Sequence, residues 1–214
     1  VCAKRGYSVD LYEKEDHLGG QINIAAVPPR KSEIMRSVEY YEKILPTLNV
    51  NVHLNEECTK EAMNEADAVI VAVGAHDIEL KVEGADGTNV LSSWDVLSGK
   101  VKPNGHCIVI GGGLVGTETA EYLVANGHEV SIVEMMDKIA NGESGTILPL
   151  IMKDFAKANV KQYVNTKVNK IEDDGKKVLA TDTASNTDLV IEGDTVVMAV
   201  GSKKNLFDTE GINK

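Results

Sequence analysis

Aromatic residues, cysteines and long apolar stretches are all scarce in this 214-residue sequence. Phe, Trp and Tyr make up only 4% of it, so the core has to be built from aliphatic side chains. No apolar run approaches the roughly 18 residues that a membrane-spanning helix needs. The first six residues also lack the apolar segment of a signal peptide. We therefore expect no membrane partner.

Only three cysteines are present, Cys2, Cys58 and Cys107, and they are far apart in the sequence. No C-x-x-C occurs, so the sequence shows neither a zinc knuckle nor a redox-active dithiol. The five histidines also lack a metal-ligand spacing, and we predict no metal site. An odd and sparse cysteine count is typical of a reducing compartment, which favours the cytoplasm.

Basic residues are outnumbered by acidic ones, 22 to 33, which gives a formal net charge of −11. A surface that binds nucleic acid shows the opposite, an excess of Lys and Arg. The charge balance therefore excludes nucleic acid as an expected partner. It also disfavours attraction to an anionic membrane surface.

Short runs rich in Val and Ile alternate with longer helical patterns. The predicted strands are 8–13, 49–54, 68–74, 107–110, 130–134, 160–164 and 195–201, the predicted helices are 31–45, 114–125 and 145–158, and a hairpin is predicted over 168–173 and 177–182. Run 68–74 is apolar enough to be buried on both faces, as parallel strands are. Pro46 is expected to end the first helix, and Gly127 to follow the end of the second. This alternation predicts an α/β protein with a parallel sheet.

The chain also repeats itself. The stretch GYSVDLYE at Gly6–Glu13 is echoed by GHEVSIVE at Gly127–Glu134, 121 residues later. The stretch DAVIVAVG at Asp67–Gly74 is echoed by DTVVMAVG at Asp194–Gly201, 127 residues later. Two echoes in the same order, at nearly the same spacing, indicate two copies of one αβ unit. Chance similarity between apolar strands is the alternative.

The second copy contains a glycine-rich motif, G-x-G-x-x-G, formed by Gly111, Gly113 and Gly116. It follows a predicted strand and opens a predicted helix, as a dinucleotide-binding fingerprint does. There the first glycine permits a tight turn, the second lets the backbone approach a pyrophosphate, and the third permits close helix packing. The residues of this segment predicted to form the cofactor-binding site are Gly111, Gly112, Gly113, Leu114, Val115 and Gly116. The alternative is a glycine-rich turn that binds no ligand.

Glu134 lies 23 residues after Gly111, at the end of the next predicted strand. A carboxylate at this position can accept hydrogen bonds from the adenine ribose hydroxyls, and it repels a 2′-phosphate. The first basic residue after it is Lys138, and no arginine follows. We therefore predict NADH rather than NADPH as the ligand. The alternative is an exposed carboxylate at a strand end.

The first copy carries the matching acid, Glu13, but not the glycine turn. Counted back by the repeat spacing, that turn would fall before Val1, so we expect a fragment that begins inside the first helix of this copy. Glu13 is predicted to face the ribose of a second dinucleotide, FAD. The further candidate cofactor contacts are Gly20, Gln21, Ala72, Gly74, Val200 and Gly201. Without the glycine turn, binding of FAD by this chain is expected to be weak or absent.

Together these motifs resemble those of flavoproteins with two dinucleotide-binding domains, in which an NAD(P)H domain interrupts an FAD domain. The stretches YEK to LGGQ over 12–21 and PPRKSE over 28–33 are similar to the C-terminal part of the 2-enoate reductase, 2,4-dienoyl-CoA reductase and trimethylamine dehydrogenase group. The resemblance implies a relay from NADH through FAD, an iron–sulfur cluster and FMN to an activated alkene. It also implies that Glu118 lies near the nicotinamide, and that the FMN barrel and the cluster belong to a missing part of the parent chain.

We therefore expect a three-layer Rossmann-type NAD(H)-binding domain at 78–195, inserted in a truncated FAD-type domain at 1–77 and 196–214. The expected function is that of the NADH-binding portion of an NADH-dependent flavin oxidoreductase, inactive as an isolated chain because the hydride acceptor is missing. A module that holds ADP or NAD for structure or regulation is one alternative, and part of a flavoprotein disulfide reductase is another. The sequence assigns no catalytic residue and no oligomeric state.

Overall fold

A computed structural model describes residues 1–208 and 210–212 of the chain. The chain divides into two compact units. The first, here called the flanking unit, consists of Val1–Ala26, Lys31–Ala75 and Lys204–Lys214. The second, here called the central unit, consists of Val27–Arg30 and His76–Lys203.

Both helices and strands occur in each unit. In the flanking unit they are β1 (Asp10–Glu13), α1 (Gln21–Ala25), α2 (Met35–Thr47), β2 (Asn51–Leu54) and α3 (Lys60–Glu65), and β3 (Ala75–Asp77) follows where the chain enters the central unit. Next come β4 (Val90–Ser92), α4 (Ser93–Leu97), β5 (Cys107–Ile110), α5 (Leu114–Ala125), β6 (Val130–Val133), α6 (Leu148–Lys157) and β7 (Lys161–Tyr163). The last are β8 (Thr166–Glu172), β9 (Lys177–Asp182), β10 (Thr187–Glu192), β11 (Thr195–Met198) and β12 (Ser202–Lys204).

A five-stranded parallel sheet forms the middle of the central unit, with the strand order β4-β11-β5-β6-β7. All four residues of β5, of β6 and of β11 are buried. Uninterrupted apolar runs of this kind are what a parallel sheet requires when both of its faces are covered. The predicted α/β class with a parallel sheet is confirmed.

The two faces of this sheet pack against different layers. Because successive side chains of a strand point to opposite faces, Val109 of β5 packs with α5 and α6 residues such as Leu123 and Phe155. Its neighbour Ile108 packs on the other side, with residues of β8, β9 and β10 such as Val178. Those three strands form an antiparallel sheet. The central unit therefore has the three layers expected, and the third layer is a sheet.

The position of β11 differs from the predicted domain boundaries. The sequence placed residues 196–214 with the first copy, but β11 lies inside the central sheet, where Val197 pairs with Val109 on one side and Leu91 on the other. A buried strand with a partner on each edge has all its backbone groups bonded. The returning strand therefore completes the sheet of the central unit, and the chain leaves that unit only after Lys203.

The flanking unit contains a smaller parallel pair, β1 with β2. Tyr12 of β1 and His53 of β2 stack with ring centroids 4.3 Å apart. The predicted buried strand 68–74 is wrong, because these residues form no strand and Ile70 is 78% exposed. Its repeat counterpart, β11, has strands on both sides, whereas no strand in the described part of the flanking unit pairs with 68–74. A strand without a neighbour leaves its backbone bonds unmade.

Two helix ends test the predicted stop signals. Gly127 has φ 86° and its N–H donates to the Val124 carbonyl oxygen, so it ends α5 as expected. Pro46 lies inside α2, which continues to Thr47, so the prediction that Pro46 ends the helix after residue 45 is wrong by two residues. Proline disrupts the helical turn that precedes it. Because Pro46 is the second-last residue of α2, only the final turn is affected.

Truncation of a buried side chain of α6 should destabilise the central unit. Ile151 is 1% exposed in the core, and Ile151→Ala should lower the free energy of unfolding by about 2–5 kcal/mol. Leu150→Ala is the matched control, because Leu150 is 45% exposed, and its loss should stay below about 1 kcal/mol. Urea unfolding followed by the fluorescence of Trp94 measures both. Similar losses in the two variants would contradict this packing.

Candidate dinucleotide-binding site

The predicted motifs meet where three neighbouring strands of the central sheet end. Gly111 follows β5, Glu134 follows β6, and Ala199 follows β11. The Gly111 N–H donates to the carbonyl oxygen of Val133, and the Ala199 N–H donates to that of Ile110, each over 2.8 Å. The crevice at the carboxyl ends of parallel strands is where open α/β sheets bind ligands.

Two glycines of the motif allow backbone segments to come together. Gly111 has φ 100°, and a side chain on it would overlap the carbonyl oxygen of Ala199. A side chain on Gly116 would overlap the carbonyl oxygen of Gly111. The turn therefore packs against the segment that follows β11 on one side and against α5 on the other. Neither contact leaves room for a Cβ.

The remaining glycine of the motif, Gly113, which is the second of the three, has a different environment. It precedes α5 in an extended conformation, and a Cβ added to it would meet nothing within 4 Å. The N–H groups of the first helical turn, which begins with Leu114 and Val115, have no partner within the helix. They favour an anion, as does the helix dipole. The residues present thus fit the pyrophosphate of a dinucleotide, with open space at Gly113.

Glu134 accepts two hydrogen bonds from backbone N–H groups. Its Oε2 accepts from Gly112 over 2.6 Å, and its Oε1 accepts from Met136 over 2.7 Å. A carboxylate has about four lone-pair positions, so both oxygens retain capacity for further donors such as ribose hydroxyls. Glu134 therefore also fixes the glycine turn, a contact that the sequence analysis did not anticipate.

The loop after β6 covers the glycine turn, and its residues were missed by sequence reasoning. Ala140 donates its N–H to the Gly112 carbonyl oxygen over 2.7 Å and has φ 53°. A Cβ added to Gly112 would lie 2.7 Å from the Cγ2 atom of Ile139. Alanine rarely adopts a positive φ, so no residue type in this loop signals the contact.

Three further candidates also belong to the central unit. The backbone nitrogen of Val200 lies 3.2 Å from a Cβ built on Gly111, which places Val200 beside the turn. Gly201 follows with φ 121°, and its carbonyl oxygen accepts from the Ile78 N–H over 2.9 Å. Glu118 is half-buried on α5, after the glycine motif.

The remaining candidates lie in the flanking unit. Glu13 accepts from the Glu15 N–H over 3.0 Å, and Gly20 precedes the five-residue helix α1. The Nε2 atom of Gln21 lies 3.2 Å from a Cβ built on Gly74, so these two are neighbours, and Ala72 is exposed. No described segment of the flanking unit repeats the arrangement of β5, glycine turn and α5. The residues present therefore do not supply a cradle for the FAD pyrophosphate.

The cysteines show no redox pair, since Cys2, Cys58 and Cys107 are all free. Burial raises the pKa of the Cys107 thiol to about 12, which keeps it protonated and unreactive. Over 1–208 and 210–212, no three His, Cys, Asp or Glu side chains are grouped so as to hold a metal ion. Nor does this described part contain a helix long and apolar enough to cross a membrane.

A strand, a glycine turn and a helix, followed by an acidic residue at the next strand end, define a dinucleotide-binding unit of the Rossmann type. The chain belongs to the pyridine nucleotide-disulphide oxidoreductase family, whose model matches residues 3–213. The predicted relationship to flavoproteins with two dinucleotide-binding domains is thereby confirmed.

Similar proteins include two reductases and an oxidase. Bilirubin reductase of Mediterraneibacter gnavus (strain CC55_001C) is 42% identical over 214 residues, which are 99% of this chain and 33% of that protein. NADH oxidase of Thermoanaerobacter brockii is 37% identical over 225 residues, 100% of this chain and 34% of the oxidase. The structure of 2-naphthoyl-CoA reductase with 2-naphthoyl-CoA matches at a TM-score of 0.86 and 32% identity, over 94% of this chain and 30% of the reductase. The chain thus spans about a third of the length of these relatives.

The close approach at Gly116 predicts a difference between two glycine substitutions. Gly116→Ala should lower the free energy of unfolding by about 1–3 kcal/mol, because the added methyl overlaps the Gly111 carbonyl oxygen. Gly113→Ala, whose methyl enters open space, should lower it by less than about 1 kcal/mol. Urea unfolding compares them. Equal losses would show that Gly116 is not the packing contact described.

Proposed function

We propose that the central unit binds NADH and that the chain is the NADH-binding portion of an NADH-dependent flavin oxidoreductase. The observation that carries the proposal is the open, N–H-lined start of α5 at Gly113, next to a fixed carboxylate at Glu134. The first accommodates the pyrophosphate, and the second accepts from the adenine ribose hydroxyls. The two groups are held together because Glu134 bonds the N–H of Gly112, inside the same turn.

The preference for NADH over NADPH follows from charge. A 2′-phosphate placed at the ribose would face the carboxylate of Glu134, and like charges in contact repel. The three residues after Glu134 are Met135, Met136 and Asp137, and Lys138 is the first basic residue. We infer that this loop offers no arginine to compensate a 2′-phosphate.

In the parent protein, we propose that NADH donates hydride to a flavin, since the redox chemistry belongs to the cofactors and the protein supplies their positions. Relatives named as a bilirubin reductase, an NADH oxidase and a 2-naphthoyl-CoA reductase support a reductase of this kind. FMN, an iron–sulfur cluster and an alkene acceptor remain expectations for the parent protein. We expect the isolated chain to bind NADH without turnover, in a reducing cytoplasm that suits its three isolated cysteines.

Calorimetric titration of the chain tests the proposal. We expect NADH to bind more tightly than ADP, NADPH to bind weakly and FAD not to bind. The variant Gly113→Val should abolish NADH binding, because its side chain fills the space proposed for the pyrophosphate. The variant should keep its unfolding midpoint, since a Cβ there meets no protein atom within 4 Å.

Each contrary result of that titration has a definite meaning. ADP binding as tightly as NADH would favour the module that holds a nucleotide for structure or regulation, since the nicotinamide would then contribute nothing. Tight binding of FAD would overturn the conclusion drawn for the flanking unit. Unchanged NADH affinity in Gly113→Val would overturn the assignment of the glycine turn.

Substitution of Glu134 should change the choice between the two dinucleotides. Glu134→Arg replaces the repelling carboxylate with a cation, and we expect the NADH-to-NADPH affinity ratio to fall by about tenfold or more. Glu134→Gln is the control for the lost backbone contacts, because it keeps the size of the side chain and adds no positive charge. A ratio unchanged in Glu134→Arg would mean that Glu134 does not face the ribose.

A further inference from the structure

The segment Val27–Arg30 belongs to the central unit, although the residues before and after it belong to the flanking unit. It carries the two prolines and the arginine of the PPRKSE stretch, which the proposed function leaves without a role. Pro28 is buried. These four residues therefore pack as part of the central unit.

The side chain of Arg30 makes the polar contacts of this segment with α5 and α6. Its Nη2 contacts Oε1 of Glu121 on α5, and its Nη1 lies 3.2 Å from Oδ2 of Asp154 on α6. A planar guanidinium can bridge two carboxylates in this way, which an ammonium group cannot do with the same geometry. The contacts border a groove of about 380 Å³ whose apolar lining includes Phe155.

The burial of Glu121 makes this contact necessary. Glu121 is 6% exposed, and it lines the groove together with apolar residues such as Val124 and Phe155. A buried carboxylate without a partner is strongly unfavourable, and removing one member of a buried pair exposes that penalty. Asp154 is 44% exposed and also lies 3.6 Å from Lys157, so it depends less on Arg30.

The backbone of Arg30 has φ 69°, a conformation that arginine rarely adopts. Such a conformation persists only where surrounding contacts enforce it. The guanidinium of the same residue contacts Glu121 on α5 and Asp154 on α6.

We propose that Arg30 is an electrostatic latch, which docks residues 27–30 on α5 and α6 through Glu121. The segment undocks in the folded protein only when the guanidinium leaves that carboxylate. This proposal stands independently of the proposed function.

Limited trypsin digestion of the full chain tests the latch directly. Trypsin must take the arginine side chain into its own specificity pocket, so cleavage after Arg30 requires the guanidinium to leave Glu121. Cleavage of a transiently open segment follows the population of the open form. Glu121→Gln should therefore accelerate cleavage after Arg30 by about tenfold or more. Cleavage after Lys14, in an exposed loop, should keep its rate.

Glu33→Gln is the matched control. It removes the acid of an exposed pair, Arg36 with Glu33 at 2.9 Å, and should leave cleavage after Arg30 unchanged. An unchanged rate after Arg30 in Glu121→Gln would overturn the latch, as would an equal acceleration after Lys14, which reports general unfolding. If Glu121→Gln does not fold, Arg30→Lys takes its place, because trypsin also cleaves after lysine and an ammonium group cannot bridge the two carboxylates with the same geometry. An acceleration confined to position 30 then supports the latch, and no acceleration overturns it.

Discussion

Contact between backbone segments at the carboxyl end of β5 is the constraint on which the rest of the central unit depends. Gly111 meets the Ala199 carbonyl oxygen on one side, and Gly116 meets the Gly111 carbonyl oxygen on the other. These approaches bring α5 down onto the sheet and aim its N-terminus at the crevice. A methyl group at Gly111 or Gly116 would push these backbone segments apart and displace the N-terminus of α5.

The same turn is held from the loop after β6. Glu134 bonds the Gly112 N–H, and Ala140 bonds the Gly112 carbonyl oxygen. Both backbone groups of one residue are thus satisfied by a neighbouring segment, as buried backbone groups require. A carboxylate that faces the ribose in the proposed complex is therefore fixed before any ligand binds, and less ordering is needed on binding.

The two copies of the repeat show how far a sequence pattern depends on its partners. Residues 67–74 and 194–201 have nearly the same apolar pattern, yet β11 is buried in a sheet and 68–74 forms no strand. The difference lies in what each segment can pair with, since β11 has β4 and β5 on its edges. Periodicity predicts that a segment can be a strand, but hydrogen-bond partners decide whether it becomes one.

The sequence by itself determined the α/β class, β5, the glycine turn and α5, because glycine spacing and apolar periodicity are local signals. It also determined that Glu134 would stand at the end of β6, whereas its contact with the turn is known only from the structure. Only the tertiary structure decided that β11 lies between β4 and β5 in the central sheet, that Ala140 bonds Gly112, and that Arg30 contacts Glu121. In each of these contacts the partners are far apart in the sequence, and neither residue type specifies which partner it will meet. The contacts therefore depend on how the whole unit packs.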